Sequence, residues 1–349
     1  MDFTKQDKPA VGSVINGYRT PSASMSYHGS GKRLYVANTE ESRIQVIDCL
    51  NAGKLDRPSL RVEREKIHIL EASHHEDCLL FAGDAAGQRH AINYYSIYDN
   101  KILRKFRGHT SRVKGLAQCP ADDTFLSTSM DQTVRLWTLQ SAGCLAECQI
   151  PAEVNPKSNP LAVFDGSGLV FGLAAQKSDL SGHYLHLYDA RNYNAGAFAE
   201  LQVPAESLAK SIQEMGVPSA RTTALAQQPW TSMTFNVSGN QILVTGGEGL
   251  CVLLDGFEGT VQKALMHPDI VQRKAAVACF SADDQYVLSG KEDGNIDCWN
   301  VASGTVSKTL DGHNGPVACI AANPMFAQFA SSYRETALWI WGYSTFIRK

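Results

Sequence analysis

The sequence predicts an all-β protein with the architecture of a seven-bladed β-propeller. Three observations favour this fold class: a unit that recurs along the chain, short apolar runs separated by turn residues within each unit, and polar residues that keep a fixed spacing. The chain has 349 residues, of which 44% are hydrophobic. A closed all-β architecture can use this length in one domain, so we expect a single domain over residues 1–349.

The repeat is clearest in segments 108–139 and 312–341, which both open with a Gly-His pair. In each, a tryptophan follows the histidine by 28 residues, a serine lies ten residues before the tryptophan, and an acid lies six before it. A third segment shares the serine, the acid and the tryptophan. The residues at these positions are His109, Ser127, Asp131 and Trp137; Ser289, Asp293 and Trp299; and His313, Ser331, Glu335 and Trp341.

These residue types can form a buried hydrogen-bond chain that ties the strands of one blade together. An acid at a tight turn accepts hydrogen bonds from backbone amides and from an imidazole, and a hydroxyl and an indole N–H can complete the chain. We therefore predict that His109 and His313 are structural and neither catalyse a reaction nor bind a metal.

Weaker units fill the rest of the chain when any apolar residue is allowed at the tryptophan position. Successive positions are then 48, 42, 51, 66, 45 and 42 residues apart. Most of these values are close to the roughly 40–45 residues of a four-stranded blade. The excess coincides with insertions, one before Tyr188 and one over about 203–222. Seven such positions predict seven blades: Ile47, Tyr95, Trp137, Tyr188, Leu254, Trp299 and Trp341.

Closure of the ring requires one more strand, because an open ring would leave unpaired sheet edges. The segment of about 9–17 is the predicted fourth strand of the last blade, and the short tail after Trp341 is the alternative.

The insertion is predicted to contain a short helix. Pro204 opens it, Gly216 and Pro218 would end it, and Leu208 and Ile212, together with Met215, repeat at the spacing of one apolar helical face. Such a face either packs on the propeller or docks a partner. We take as a hypothesis that Leu208 and Ile212 form a docking element.

Several stretches go beyond the generic repeat, including VFDGSGLVFGLAAQ, LYDARNYNAGAFAEL and LLDGFEGTVQ. Their sequence and order resemble WD-repeat proteins of one family, the Swd-two-like subunit that is shared in eukaryotes by the COMPASS-type histone lysine methyltransferase complex and by a protein phosphatase 1 complex acting in transcription termination. The resemblance covers nearly the whole chain. Ala37 and Glu41 depart from it, since they stand where a hydroxyl and an aspartate are usual.

The resemblance implies a non-catalytic scaffold that works in the nucleus and helps to hold a methyltransferase or phosphatase assembly near RNA polymerase II. The implied partners are scaffold subunits of the methyltransferase or phosphatase complex, together with the phosphorylated tail of RNA polymerase II.

Composition limits the other possibilities. The 32 basic and 35 acidic residues give a formal charge of −3, so no global field attracts nucleic acid or an anionic membrane. The polar N-terminus and the lack of a long apolar segment predict a soluble intracellular protein. Nine scattered cysteines indicate free thiols, and the spacing of Cys144 and Cys148 is weak evidence for zinc.

Two acidic clusters have ligand-type or acid–base side chains. The pairs Asp122–Asp123 and Asp283–Asp284 recur at repeat spacing, which favours hairpin turns over a catalytic site. Residues 74–78 (HHEDC) fall between two strand-like runs, which favours a hairpin loop over a metal site. Without a nucleotide-binding loop or nucleophile motif, we predict no enzyme activity, no cofactor and no metal.

Partner contacts are expected around a basic run over residues 100–115, although charges that guard a strand edge would look the same. Arg104 and Arg112 belong to this run. Met130 and Glu292 each precede a structural acid and should lie on the same face as Arg112.

The favoured function is a scaffold subunit of a nuclear transcription complex. A substrate receptor of a ubiquitin ligase and an RNA-processing adaptor are the alternatives, because propellers serve all three roles. A receptor would need a second module outside the ring, and an RNA adaptor would bind RNA with strong salt dependence.

Overall fold

The structure is a computed structural model. It describes residues 9–51, 53–62, 65–85, 90–148, 150–151, 153–268 and 276–341. They fall into two compact units: the first unit takes its residues from Met1–Arg89, Asn93–Arg104 and Val277–Lys349, and the second unit from His90–Ile92 and Lys105–Ala276. The single domain over residues 1–349 stays a prediction.

The described strands are short, because turn residues interrupt the apolar runs every few positions. In chain order they are β1 (Ala10–Ile15), β2 (Ser24–Tyr27), β3 (Arg33–Asn38), β4 (Arg43–Asp48), β5 (Lys54–Leu55), β6 (Leu60–Arg61), β7 (Glu65–Ala72), β8 (Cys78–Ala85), β9 (Ile92–Ser96), β10 (Lys101–Phe106), β11 (Val113–Gln118), β12 (Thr124–Ser129), β13 (Val134–Thr138), β14 (Cys144–Cys148), β15 (Leu161–Phe164), β16 (Val170–Gln176), β17 (Gly182–Asp189), β18 (Ala199–Pro204), β19 (Ser232–Phe235), β20 (Gln241–Thr245), β21 (Cys251–Asp255), β22 (Val261–Leu265), β23 (Val277–Phe280), β24 (Tyr286–Gly290), β25 (Ile296–Asn300), β26 (Val306–Leu310), β27 (Cys319–Ala322), β28 (Gln328–Ser332) and β29 (Thr336–Ile340).

The fold is a seven-bladed β-propeller, as predicted. In the part of the chain that the structure describes, the strands form seven antiparallel sheets. Blade 1 contains β2–β6, blade 2 β7–β10, blade 3 β11–β14, blade 4 β15–β18, blade 5 β19–β22, blade 6 β23–β26, and blade 7 β27–β29 with β1.

Sequence pattern distinguishes inner from outer strands. The second strand of blade 3, β12, is buried at five of its six positions, because blade sheets pack face to face and both faces of an inner strand are covered. In contrast, β18 at the edge of blade 4 alternates between more and less exposed residues.

The N-terminal strand β1 belongs to blade 7. It pairs antiparallel with β29, with Val14 opposite Ala337 and Ile15 opposite Thr336. The ammonium of Lys308 in blade 6 also donates to the carbonyl oxygen of Pro9. Residues from the start of the described chain therefore complete the last blade.

The insertion forms two helices, α1 (Ala205–Glu214) and α2 (Ser219–Ala226). Pro204 precedes α1, and Gly216 adopts a positive φ of 85° just after it, a conformation that favours glycine. The sequence pattern predicted α1 but missed α2, whose threonines and alanines lack a clear apolar stripe. Among the described residues, no helix combines the length and apolar character needed to cross a membrane.

The hypothesis that Leu208 and Ile212 dock a partner is wrong. Their side chains are only 1% and 0% exposed, and they belong to a core that includes Trp230 and Leu254. The helix is also fixed to blade 5, because the Ala264 N–H donates to Ser211 Oγ at 2.8 Å. The apolar stripe is therefore covered by its own unit, and the helix caps the edge strand β22.

A buried histidine lies beside these helices. His183 of β17 is 1% exposed, and its ring stacks on Trp230 with 3.9 Å between ring centroids and 3° between planes. Burial lowers the pKa of His183 to about 3. The folded protein therefore keeps this imidazole neutral, whereas the unfolded chain protonates it near pH 6.5.

We expect His183 to make the protein acid-sensitive. Because its folded-state pKa is depressed, its contribution to stability is complete above pH 6.5 and is lost as the pH falls towards 3. The loss should reach about 2–3 kcal/mol at pH 4.5. Thermal melting of wild type and His183→Phe, a variant that keeps an aromatic ring, should show a shallower decline for the variant between pH 7 and 4.5. Parallel pH profiles would contradict this assignment.

Candidate partner-binding surfaces

The predicted hydrogen-bond chain is present in blade 3. Trp137 Nε1 lies 2.8 Å from Ser127 Oγ, which lies 2.7 Å from His109 Nε2. On the other side of the imidazole, His109 Nδ1 lies 3.0 Å from Asp131 Oδ2. The chain joins β12, β13 and the loop that enters β11, as the residue spacing predicts.

Its two ends fix the direction of every hydrogen bond. An indole N–H can only donate and a carboxylate can only accept, so Trp137 donates to Ser127, Ser127 to His109, and His109 to Asp131. Burial lowers the pKa of His109, so the imidazole is neutral at pH 7. Burial acts to raise the pKa of Asp131, but hydrogen bonds from Thr133 and the Thr110 N–H, with His109 alongside, hold it well below its usual range.

In blade 7 the assignment of the tryptophan is wrong. Trp339, not Trp341, donates to Ser331 Oγ at 2.8 Å. His313 behaves as expected, with Nε2 2.7 Å from Ser331 Oγ and Nδ1 3.0 Å from Glu335 Oε1.

The physical reason is a shorter hairpin. In blade 3, five residues separate the paired residues Thr128 and Val134, whereas three separate Ser332 and Thr336 in blade 7. The tryptophan that faces the serine is therefore two positions earlier than spacing predicts. Trp341 instead stacks on Tyr286, with 5.3 Å between ring centroids.

Blade 6 retains part of this hydrogen-bond chain. Trp299 Nε1 donates to Ser289 Oγ at 3.0 Å, and Asp293 Oδ1 accepts the Asn295 N–H in the hairpin turn at 2.9 Å. Lys291 Nζ lies 3.5 Å from Asp293 and 3.6 Å from the buried Asp297. Two ion pairs of Lys291 thus accompany the tryptophan–serine bond in this blade.

Blade 1 uses different residues for the same task. The Tyr18 hydroxyl donates to the Val36 carbonyl at 2.8 Å, and the Arg19 N–H donates to Glu41 at 2.7 Å, as the Thr110 N–H donates to Asp131 in blade 3. Tyr18 therefore stands where the histidine would be. No Gly-His pair marks this position in the sequence, so the role of Tyr18 was not predicted.

The acidic clusters lie in turns, as predicted. Asp122 accepts the N–H of Thr124 at 2.8 Å, and Asp283 accepts the Ser281 hydroxyl at 2.6 Å. Asp77 in the turn between β7 and β8 lies 3.0 Å from both Arg33 and Arg57. Within the described residues, no group of three or more histidine, cysteine and acidic side chains is arranged to hold a metal ion.

The predicted partner-binding residues are distributed between the units. Arg112 is half-buried rather than exposed, and Met130 beside it is 48% exposed, with its N–H donating to the Arg112 carbonyl at 2.9 Å. Arg104 and Glu292 are half-buried residues of the first unit. The structure thus brings Arg112 and Met130 together, and their role in partner binding stays a prediction.

An unpredicted groove lies between blades 1 and 2 of the first unit. It encloses about 1160 Å³ and is lined by residues that include Arg57, Arg61 and Tyr98. In blade 1 the outer edge is divided into the two-residue strands β5 and β6. No residue pattern in the sequence indicates this groove.

The WD domain, G-beta repeat model matches residues 100–138 and 271–300. Drosophila melanogaster WD repeat-containing protein 82 is 28% identical over 87% of this chain and 86% of its own. The Set1 complex component swd2 of Schizosaccharomyces pombe is 26% identical over 78% and 69%, and the COMPASS component SWD2 of Saccharomyces cerevisiae is 24% identical over 89% and 88%.

Over most of its length the chain is similar to Swd2-type WD-repeat proteins. The similarity extends well beyond the two segments that match the repeat model, so the chain shares more with these relatives than single repeats.

We expect Asp131→Ala to destabilise the protein by about 2–3 kcal/mol, because it leaves buried donors without their acceptor. Asp123→Ala in the same blade removes an exposed turn acid and should change stability by less than about 0.5 kcal/mol. Thermal and urea unfolding of both variants measure the difference. Equal stability of the two variants would show that the chain of hydrogen bonds contributes little.

Proposed function

We propose that this protein is a non-catalytic scaffold subunit of a nuclear complex linked to transcription. The observation that carries the proposal is its similarity, over more than two thirds of both chains, to proteins named as components of the Set1 complex and of COMPASS. A propeller suits such a role because it presents many turns and edges on a rigid frame.

The contacts of the chemically capable side chains support a structural role. His109 and His313 each use both ring nitrogens in the hydrogen-bond chains. The acids of the hairpin turns accept backbone or hydroxyl hydrogen bonds. Side chains that an enzyme would need for proton transfer thus hold strands and turns in place.

In finer terms, we propose membership of a histone methyltransferase complex, a protein phosphatase 1 complex that acts in RNA polymerase II termination, or both. Its partners would be scaffold subunits of these complexes and the phosphorylated polymerase tail. Under this proposal it has no enzyme activity and no cofactor, and it contacts neither membranes nor nucleic acid directly.

Affinity purification of the full chain from nuclear extract, followed by quantitative mass spectrometry, tests the proposal. A Set1-type methyltransferase or a protein phosphatase 1 catalytic subunit should co-purify in near-stoichiometric amounts, and a tagged unrelated propeller is the control. Recovery of cullin-type ubiquitin ligase subunits instead would favour a substrate receptor. RNA that co-purifies and dissociates with rising salt would favour an RNA-processing adaptor.

Arg112 is proposed to pair with an acidic or phosphorylated segment of a partner. Its guanidinium can bind a carboxylate or phosphate through two hydrogen bonds, and Met130 supplies an apolar contact beside it. We expect Arg112→Glu to reduce recovery of such a partner about tenfold, and the melting temperature of the variant is measured alongside to show that it is folded. Lys210→Glu, the same charge change on the exposed side of α1, is the control. Equal recovery by both variants would exclude Arg112 from the interface.

A further inference from the structure

Exposed apolar side chains of the second unit are concentrated at one end of its sheets. This end, the hairpin-turn surface, consists of the turns between first and second and between third and fourth strands of blades 3–5, namely 119–123, 139–143, 165–169, 190–198, 236–240 and 256–260. Of six exposed large apolar residues described in this unit, five lie in or beside these turns. They are Leu145, Leu169, Phe198, Val237 and Phe257, which are 41%, 44%, 61%, 64% and 69% exposed.

The turns touch one another and form a continuous surface. A Cβ atom at Gly168 would lie 2.8 Å from the Cβ of Ala121, which joins blade 4 to blade 3. A Cβ atom at Gly166 would lie 3.0 Å from the Val237 carbonyl oxygen, which joins blade 4 to blade 5. Glycines at these positions allow the backbones of neighbouring turns to approach closely.

The turn of blade 5 forms its backbone hydrogen bonds without using the side chain of Phe257. In the turn of blade 5, the Asp255 carboxylate accepts the backbone N–H groups of Phe257 and Glu258, both at 2.9 Å. These bonds use the backbone of Phe257 and leave its side chain in solvent. Polar residues are the usual choice at turns, so the phenylalanines at 198 and 257 need another explanation.

The same surface is strongly acidic. Its turns and adjoining strand ends carry six acids and one base, a larger imbalance than the 35 acids and 32 bases of the whole chain. The acids are Asp122, Asp123, Asp165, Asp189, Asp255 and Glu258, and the base is Arg191, which lies 3.3 Å from Asp189. Backbone N–H groups of Glu258 and Phe257 lower the pKa of Asp255, so this carboxylate is ionised at neutral pH.

We propose that the hairpin-turn surface docks a segment of a protein partner in which apolar anchor residues are flanked by lysines and arginines. Apolar anchors would cover Phe198, Phe257 and their neighbours, and the cationic flanks would pair with the surrounding carboxylates. This inference rests on the proposed function as a binding subunit and adds the surface and the chemistry of its occupant.

Fluorescence anisotropy with the full chain and three labelled synthetic peptides tests the inference. The first peptide has two Leu-Phe pairs between lysines and arginines, the second replaces the basic residues by glutamates, and the third replaces the apolar pairs by serines. Only the first should bind measurably. The double variant Phe198→Ser with Phe257→Ser should bind it about tenfold more weakly.

Two further variants separate the apolar and electrostatic parts. Asp123→Lys with Glu258→Lys should weaken binding of the first peptide by a similar factor and reduce its salt dependence. Leu103→Ser removes an exposed apolar side chain from the outer strand of blade 2 and should leave binding within twofold of wild type. Melting temperatures confirm that each variant is folded.

Equal binding of the basic and acidic peptides, or equal losses in Leu103→Ser and the double serine variant, would overturn the inference. Its failure is distinguishable from failure of the proposed function. If this protein co-purifies with a methyltransferase or phosphatase complex but does not bind the basic peptide, the partner binds elsewhere on this chain. If the protein binds the basic peptide but does not co-purify with such a complex, the docking surface is supported and the proposed membership of the complex is contradicted.

Discussion

The hydrogen-bond chain from Trp137 through Ser127 and His109 to Asp131 is the interaction on which the geometry of blade 3 depends. It fixes two strands and the incoming loop with groups that are all buried and all satisfied. A chain with a donor at one end and an acceptor at the other has a single consistent direction, so the neutral imidazole is held in one tautomer. The turns and strand edges around it are placed accurately as a result.

Other blades reach the same result with fewer or different groups. Blade 7 uses Glu335 instead of aspartate and a shorter hairpin, blade 6 combines the tryptophan–serine bond with Lys291, and blade 1 uses Tyr18 with Glu41. What these blades share is a requirement to pair polar groups where the loop meets the sheet, since an unpaired buried group costs about 1–3 kcal/mol. Different side chains can therefore meet this requirement in different blades.

Because these hydrogen bonds hold the strands of each blade, the side chains in the turns can vary between blades. The turns at one end of the second unit hold their backbones by hydrogen bonds to aspartates, as Asp255 does for Phe257, so the side chains between them are available for binding. The combination of exposed aromatic rings and carboxylates there suits a basic segment with apolar anchors. Arg112 and Met130 offer the opposite chemistry, a cation beside an apolar side chain, near the hydrogen-bond chain of blade 3. One unit can thus present two chemically distinct surfaces.

Sequence alone determined the propeller class, the number of blades, helix α1 and the structural roles of His109 and His313, because these follow from local periodicity and from residue types that few other contacts satisfy. Tertiary structure decided the rest. It showed that Trp339 replaces Trp341, since strand pairing depends on hairpin length, and that Leu208 and Ile212 are covered, since an apolar stripe does not reveal what packs on it. Exposure of Phe198 and Phe257 and the broken edge of blade 1 likewise depend on how distant segments pack, which residue spacing does not encode.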